Sequence, residues 1–107
     1  ISSGYNAGAA VVEVKGGKAS LVWSSKVLRA HINSPVVLGD FVYGIDGNTG
    51  GGNLVCFDAR TGQKVWEEKS VKGGALVLRG EDLVIATEKG ELVFAVRFFT
   101  LLCKLRL

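Results

Sequence analysis

Few residues of this 107-residue chain are equipped for chemistry, and most of them sit in two polar connections. Arg29, His31, Asn33 and Ser34 fall within Leu28–Ser34, and Asp46, Asn48 and Thr49 within the glycine-rich run Asp46–Asn53. His31 is the sole histidine. An imidazole titrates near neutrality, so with a carboxylate such as Asp46 to orient it, it can move a proton or hold a polar ligand. The plainer reading, which outweighs the first, is that these are solvated or turn-bonded loop residues. Arg29, His31, Asn33, Asp46 and Asn48 therefore form a candidate binding face, and no residue is assigned a catalytic role.

Other chemistries lack their residues. Cys56 and Cys103 match no metal-ligand spacing with only His31 to join them, so no metal site is expected. Cys56 lies in an apolar run, where a free thiol behaves as a small buried hydrophobe. Asp46-Gly-Asn-Thr-Gly50 opens like a calcium loop, but the twelfth position, where a bidentate Glu is required, is Phe57. The same run lacks the Gly-Lys-Ser/Thr ending and the helix of a phosphate cradle.

The elements that must position these residues are short strands. Fifteen glycines and one proline punctuate runs rich in Val, Leu, Phe and Tyr. No long window carries a helical stripe of apolar residues, so the chain is expected to be all-β, an antiparallel meander. Val11–Val14 and Ala19–Lys26 flank Gly16-Gly17 as a hairpin; Pro35–Leu38 and Phe41–Ile45 flank Gly39-Asp40 as a second. Leu54–Phe57 and Lys64–Trp66 flank Asp58–Gly62 as a third, and Ala75–Leu78, Leu83–Ile85 and Leu92–Phe94 continue the series.

Charge and hydropathy narrow the partners. Residues 1–96 hold ten acids and ten bases, and the net +3 comes entirely from Arg97, Lys104 and Arg106. A nucleic-acid surface needs a basic stripe on the folded body, so nucleic acid is not expected as a partner. The longest apolar run, Leu92–Cys103, is broken by Arg97 and is shorter than the roughly 20 residues of a spanning helix.

Internal repetition is the strongest signal. Trp23 and Trp66 are 43 residues apart, within the spacing of about 40 to 45 residues that marks four-stranded propeller blades. Pro35–Tyr43 is echoed by Ala75–Val84, and Gly52–Phe57 by Gly90–Phe94. The segment Asp58-Ala-Arg-Thr-Gly-Gln-Lys-Val-Trp66 has the form D-x-x-T-G-x-x-x-W. It resembles the tryptophan-docking motif of the pyrroloquinoline-quinone-like β-propeller repeat family.

The resemblance implies an incomplete propeller of four-stranded blades: a half blade at 8–27, a whole one at 33–69, a partial one at 74–95, and an atypical apolar and basic tail at 96–107. Asp58, Thr61 and Gly62 would build the turn before the outermost strand, and Trp66, with Trp23 as an earlier copy, would pack against the neighbouring blade. The blade order would bring the Leu28–Ser34 and Asp46–Asn53 connections to one face. The implied role is a non-enzymatic scaffold or protein-interaction segment in a bacterial envelope or secreted protein, with the remaining blades or another protein as partner and no cofactor of its own. The alternative is a fragment of a quinone-dependent dehydrogenase using pyrroloquinoline quinone with calcium. Unpaired strand edges are also expected to favour self-association.

Overall fold

The computed structural model describes residues 2–3, 8–26, 28–30, 34–47, 52–95 and 102–106. Its regular elements are β1 (Ser2–Ser3), β2 (Gly8–Lys15), β3 (Lys18–Ser25), β4 (Val36–Leu38), β5 (Phe41–Asp46), β6 (Asn53–Asp58), β7 (Lys64–Lys72), β8 (Ala75–Arg79), β9 (Asp82–Ala86), β10 (Glu91–Ala95) and β11 (Leu102–Arg106). They form three sheets, β1-β2-β3, β4-β5-β6-β7 and β8-β9-β10-β11, in which strands adjacent in sequence pair antiparallel. The described residues contain no helix. The chain is therefore all-β and built from local pairings.

The turns lie where glycine places them. Lys15 pairs with Lys18 across Gly16-Gly17, Leu38 with Phe41 across Gly39-Asp40, and Arg79 with Asp82 across Gly80-Glu81. Two-residue connections of this kind need a residue that tolerates positive φ, and each of these turns contains at least one such glycine.

The middle sheet is covered on both faces. Its central strands are accordingly buried nearly end to end, in Val42–Ile45 and Leu54–Phe57. Val42, Val55 and Phe57 pack toward the first sheet with Ala9, Trp23, Leu28 and Ala30. The alternating set, Tyr43, Ile45, Leu54 and Cys56, packs toward the third with Leu76, Leu83, Ile85, Val93 and Ala95. Period-two alternation thus feeds two cores at once, and three sheets stack as layers.

Three elements extend beyond the strands read from sequence. β7 continues past Trp66 through Glu67-Glu68-Lys69-Ser70 to Lys72. Its register against β6 shifts between Asn53 and Leu54, with Leu54 opposite Glu68 and Asn53 opposite Lys72. That irregularity brings Val71 into the core, fully buried, at the end of a polar run. The tail supplies β11, whose Leu102 and Arg106 lie opposite Ala95 and Glu91 of β10 and give the third sheet its fourth strand. At the other end β2 begins at Gly8 and pairs with the two-residue β1.

Candidate functional site

Two polar features link the sheets, and each starts from a short-range backbone requirement. The first is the connection from β3 to β4, which must cross from one sheet to the next while its backbone groups find partners. Leu28 and Ala30 are buried and anchor it by their side chains. Between them, Arg29 turns to the end of β5. Asp46 Oδ1 accepts hydrogen bonds from the Arg29 backbone N–H at 2.7 Å and from Nε at 3.0 Å, and Oδ2 accepts from Nη2 at 2.9 Å. The Gly47 N–H donates to the Arg29 carbonyl at 3.3 Å, and Ala30 and Gly47 form a parallel bridge.

Asp46 is 12% exposed in its side chain and Arg29 38%. The hydrogen bond and charge of Asp46 hold the Arg29 guanidinium above its ordinary pKa. Beside them Asn53, opposite Asp46 in the sheet, donates to Glu67 Oε1 at 3.3 Å and accepts from the Lys72 ammonium. Lys64 lies 3.8 Å from the Glu67 carboxylate. Donors and acceptors in this cluster are matched to one another, which makes it a clasp.

Of the candidate face, the structure thus brings Arg29 and Asp46 together. His31, Asn33 and Asn48, with Thr49, lie outside the described residues. Ser34 is exposed. Asn53, Glu67 and Lys72 belong to the same end of the sheet but were not among the residues singled out from sequence. The signal was weak: Asn53 closes a glycine-rich loop, and Glu67 and Lys72 sit in a polar stretch that reads as solvated until β7 is known to continue. Among the described residues no group of three or more His, Cys, Asp or Glu side chains could hold a metal ion.

Asp46→Ala should destabilise the chain by about 2 kcal/mol. Breaking a buried bidentate pair costs about 3–5 kcal/mol, reduced here because Arg29 is partly solvated. Asp46→Asn keeps an acceptor for the Arg29 backbone N–H and should recover roughly half of that loss. Urea unfolding of the three proteins measures both effects; equal losses in the two variants would show that charge alone matters.

The second feature is the turn from β6 to β7. The Asp58 carboxylate accepts from the Arg60 N–H at 2.8 Å and from its guanidinium at 3.3 and 3.4 Å. The Arg60 side chain and N–H hold Asp58 below the usual carboxylate pKa. Thr61 Oγ1 accepts from the Gln63 N–H at 3.3 Å, and the Gly62 N–H donates to the Asp58 carbonyl at 2.8 Å. These are the Asx- and Ser/Thr-type bonds expected of those residue types.

Trp23 of the first sheet lies on this turn. Its Nε1–H donates to the Ala59 carbonyl at 2.8 Å, and its ring meets Phe57 edge-on, with centroids 5.5 Å apart and planes at 86°. A Cβ on Gly62 would come within 2.7 Å of the indole, so the missing side chain is what admits the ring. Trp66 stands at the corresponding place on the middle sheet, 5.9 Å from Tyr43 on the face that meets the third sheet.

No protein-family model matches this chain, and no curated protein or solved structure matches it either. The described residues include no helix long and apolar enough to cross a membrane.

Cys56 belongs to the core between the middle and third sheets, as a buried free thiol. Burial pushes its pKa up from 9.0 to about 11, against a smaller lowering by a hydrogen bond with Tyr43. A raised folded-state value means that the native state holds the proton more tightly than the unfolded chain. The contribution is complete below the unfolded pKa near 9 and is lost as pH rises to about 11. In a Cys103→Ser background the remaining thiol should react with a maleimide only on unfolding. The part of the fall in melting temperature between pH 9 and 11 that Cys56 causes should vanish in Cys56→Ala. Rapid labelling of the native protein would contradict the burial.

Proposed function

We propose that this chain is a run of β-propeller blades of the pyrroloquinoline-quinone-like kind and that its work is structural, as a scaffold or protein-interaction segment. The observation that carries the reading is the seating of Trp23 on the Ala59–Gly62 turn of the next sheet, through both its N–H and its ring face. A docking tryptophan, a turn shaped to receive it, and a second tryptophan 43 residues on are what serial blades need if each is to fix the angle of the next. Two sheets of four antiparallel strands in sequence order, stacked face to face with each other and with a three-stranded one, support the same reading. The polar groups described at the sheet ends are spent on one another, in the Arg29–Asp46 clasp and the Asp58–Arg60 turn. They serve the stack.

The competing reading, a piece of a quinone-dependent dehydrogenase, requires the chain to contact pyrroloquinoline quinone and calcium. Melting the protein with and without both separates the two. No shift is expected under the scaffold reading, and a rise of several degrees would replace it with the cofactor-binding one.

A further inference from the structure

We infer that Asp46-Gly47 is a site of spontaneous aspartyl isomerisation in this chain and that the Arg29 clasp holds the reaction off while the protein is folded. The inference uses the geometry of the clasp alone and is independent of the serial-blade reading.

The reaction joins a side-chain carboxyl carbon to the amide nitrogen of the next residue, and bulk on that residue hinders it. Asp46-Gly47 is the only Asp-Gly or Asn-Gly step in the sequence. Gly47 has no Cβ to obstruct its nitrogen, and its φ of +142° is a conformation that favours glycine. Ring closure forms a bond from Gly47 N to Asp46 Cγ and breaks a Cγ–O bond. The departing oxygen takes the amide hydrogen and the acid proton and leaves as water. Water then reopens the five-membered imide, and it is the only co-reactant. Addition at the side-chain carbonyl restores Asp46; addition at the main-chain carbonyl leaves the backbone running through the side chain, with the carboxylate on Cα.

In the folded chain both reacting groups are tied to one residue. Oδ1 of Asp46 accepts from the Arg29 backbone N–H and Nε, and Oδ2 from Nη2, so neither oxygen can depart without breaking a charge-assisted bond. The Gly47 N–H that must be given up donates to the Arg29 carbonyl, and the bridge between Ala30 and Gly47 fixes the peptide around it. On its other side Asp46 is paired with Asn53 at the end of β5. Arg29 is partly exposed, so water is at hand once the clasp opens, and the rate follows the population of the open state. The isomerised product cannot rebuild the clasp. Its backbone is longer by a methylene between the Asp46 Cα and Gly47, and its carboxylate sits a carbon closer to the chain. A transient opening of the crossing from the first sheet to the middle sheet is thereby made permanent.

The test incubates the folded wild type, Arg29→Met and Gly80→Ala in heavy-oxygen water at neutral pH. Mass spectrometry of the peptide containing Asp46 reads the heavy oxygen gained there and the isoaspartyl form. Arg29→Met, still folded by circular dichroism, should react about tenfold faster than the wild type, because it loses the paired guanidinium bonds. Gly80→Ala, which weakens the fold away from the clasp, should react as the wild type does. Wild type unfolded in guanidinium chloride should react at least as fast as folded Arg29→Met. Should Arg29→Met fold poorly, Arg29→Lys takes its place, with a rate between those of the wild type and the unfolded chain. Equal rates in folded and unfolded wild type would overturn the proposal, as would a folded Arg29 variant that reacts no faster than the wild type. Acceleration by Gly80→Ala equal to that by the Arg29 variant would overturn it too, since protection would then come from overall stability and not from the clasp.

Discussion

Gly62→Ala should destabilise the protein by about 3 kcal/mol in the presence of Trp23 and by only about 1 kcal/mol in its absence. Gly62 has φ +78°, where a Cβ is strained whatever surrounds it; that strain is worth about 1–2 kcal/mol and persists in any background. The remainder comes from the ring. An added Cβ would lie 2.7 Å from two indole carbons and 3.1 Å from a third, closer than carbon atoms approach, so the indole must lift from the turn. Lifting it lengthens the 2.8 Å bond to the Ala59 carbonyl and opens the edge-on contact with Phe57.

Trp23→Ala alone should cost about 3 kcal/mol, at the lower end for truncating a large aromatic, because the side chain is only half-buried. Trp23→Phe keeps a ring and loses the N–H bond, for about 1 kcal/mol. The double variant Trp23→Ala/Gly62→Ala should then be only about 1 kcal/mol less stable than Trp23→Ala, against the roughly 3 kcal/mol that Gly62→Ala costs with the ring in place. Additive losses in this cycle, measured by urea unfolding, would mean that the ring and the turn do not meet in solution.

That pair also shows how much of the molecule was legible in the sequence. The Asp58-x-x-Thr-Gly62 turn could be read residue by residue, because each side chain acts on backbone two or three positions away: Asp58 on Arg60, Thr61 on Gln63, Gly62 through its own φ. The hairpin turns at Gly16-Gly17 and Gly39-Asp40 were legible for the same reason. Which tryptophan sits on which turn was not, since the contact between Trp23 and Ala59 spans 36 residues and depends on sheet stacking.

The polar length of β7 was hidden by composition. Glu67-Glu68-Lys69-Ser70 looks like loop, and only pairing with β6 and the register shift that buries Val71 make it strand. β11 was obscured the other way, as an apolar and basic segment without the turn chemistry that precedes β7. At the candidate site, Arg29 and Asp46 were found as polar residues in separate loops, yet their role is set by geometry. A carboxylate that accepts three hydrogen bonds from one arginine is committed to holding a crossing in place.

Gly74→Ala should be more damaging still, at about 4 kcal/mol, while Gly80→Ala costs about 1 kcal/mol, although both are turn glycines at positive φ. Gly80 (φ +59°) has nothing within 4 Å of where its Cβ would stand, so only the backbone strain remains. At Gly74 (φ +88°) the added atom would fall 1.7 Å from the Ala86 carbonyl oxygen, 2.8 Å from its carbon and 2.9 Å from the Thr87 Cα. All three are backbone atoms and cannot swing aside as a side chain does. Relief requires parting β8 from β9 where Ala75 lies opposite Ala86, next to the Leu76–Ile85 pair that faces the middle sheet.

The damage should therefore be local before it is global. Amide exchange in Gly74→Ala should lose protection first along β8 and β9, with β5 and β6 retained until the whole chain unfolds. Gly80→Ala, whose strain sits at the open hairpin tip, should leave that order unchanged. If the two variants unfold at the same urea concentration, the close approach of Gly74 to Ala86 is not a feature of the folded protein, and the entry of the chain into its third sheet must follow a wider path.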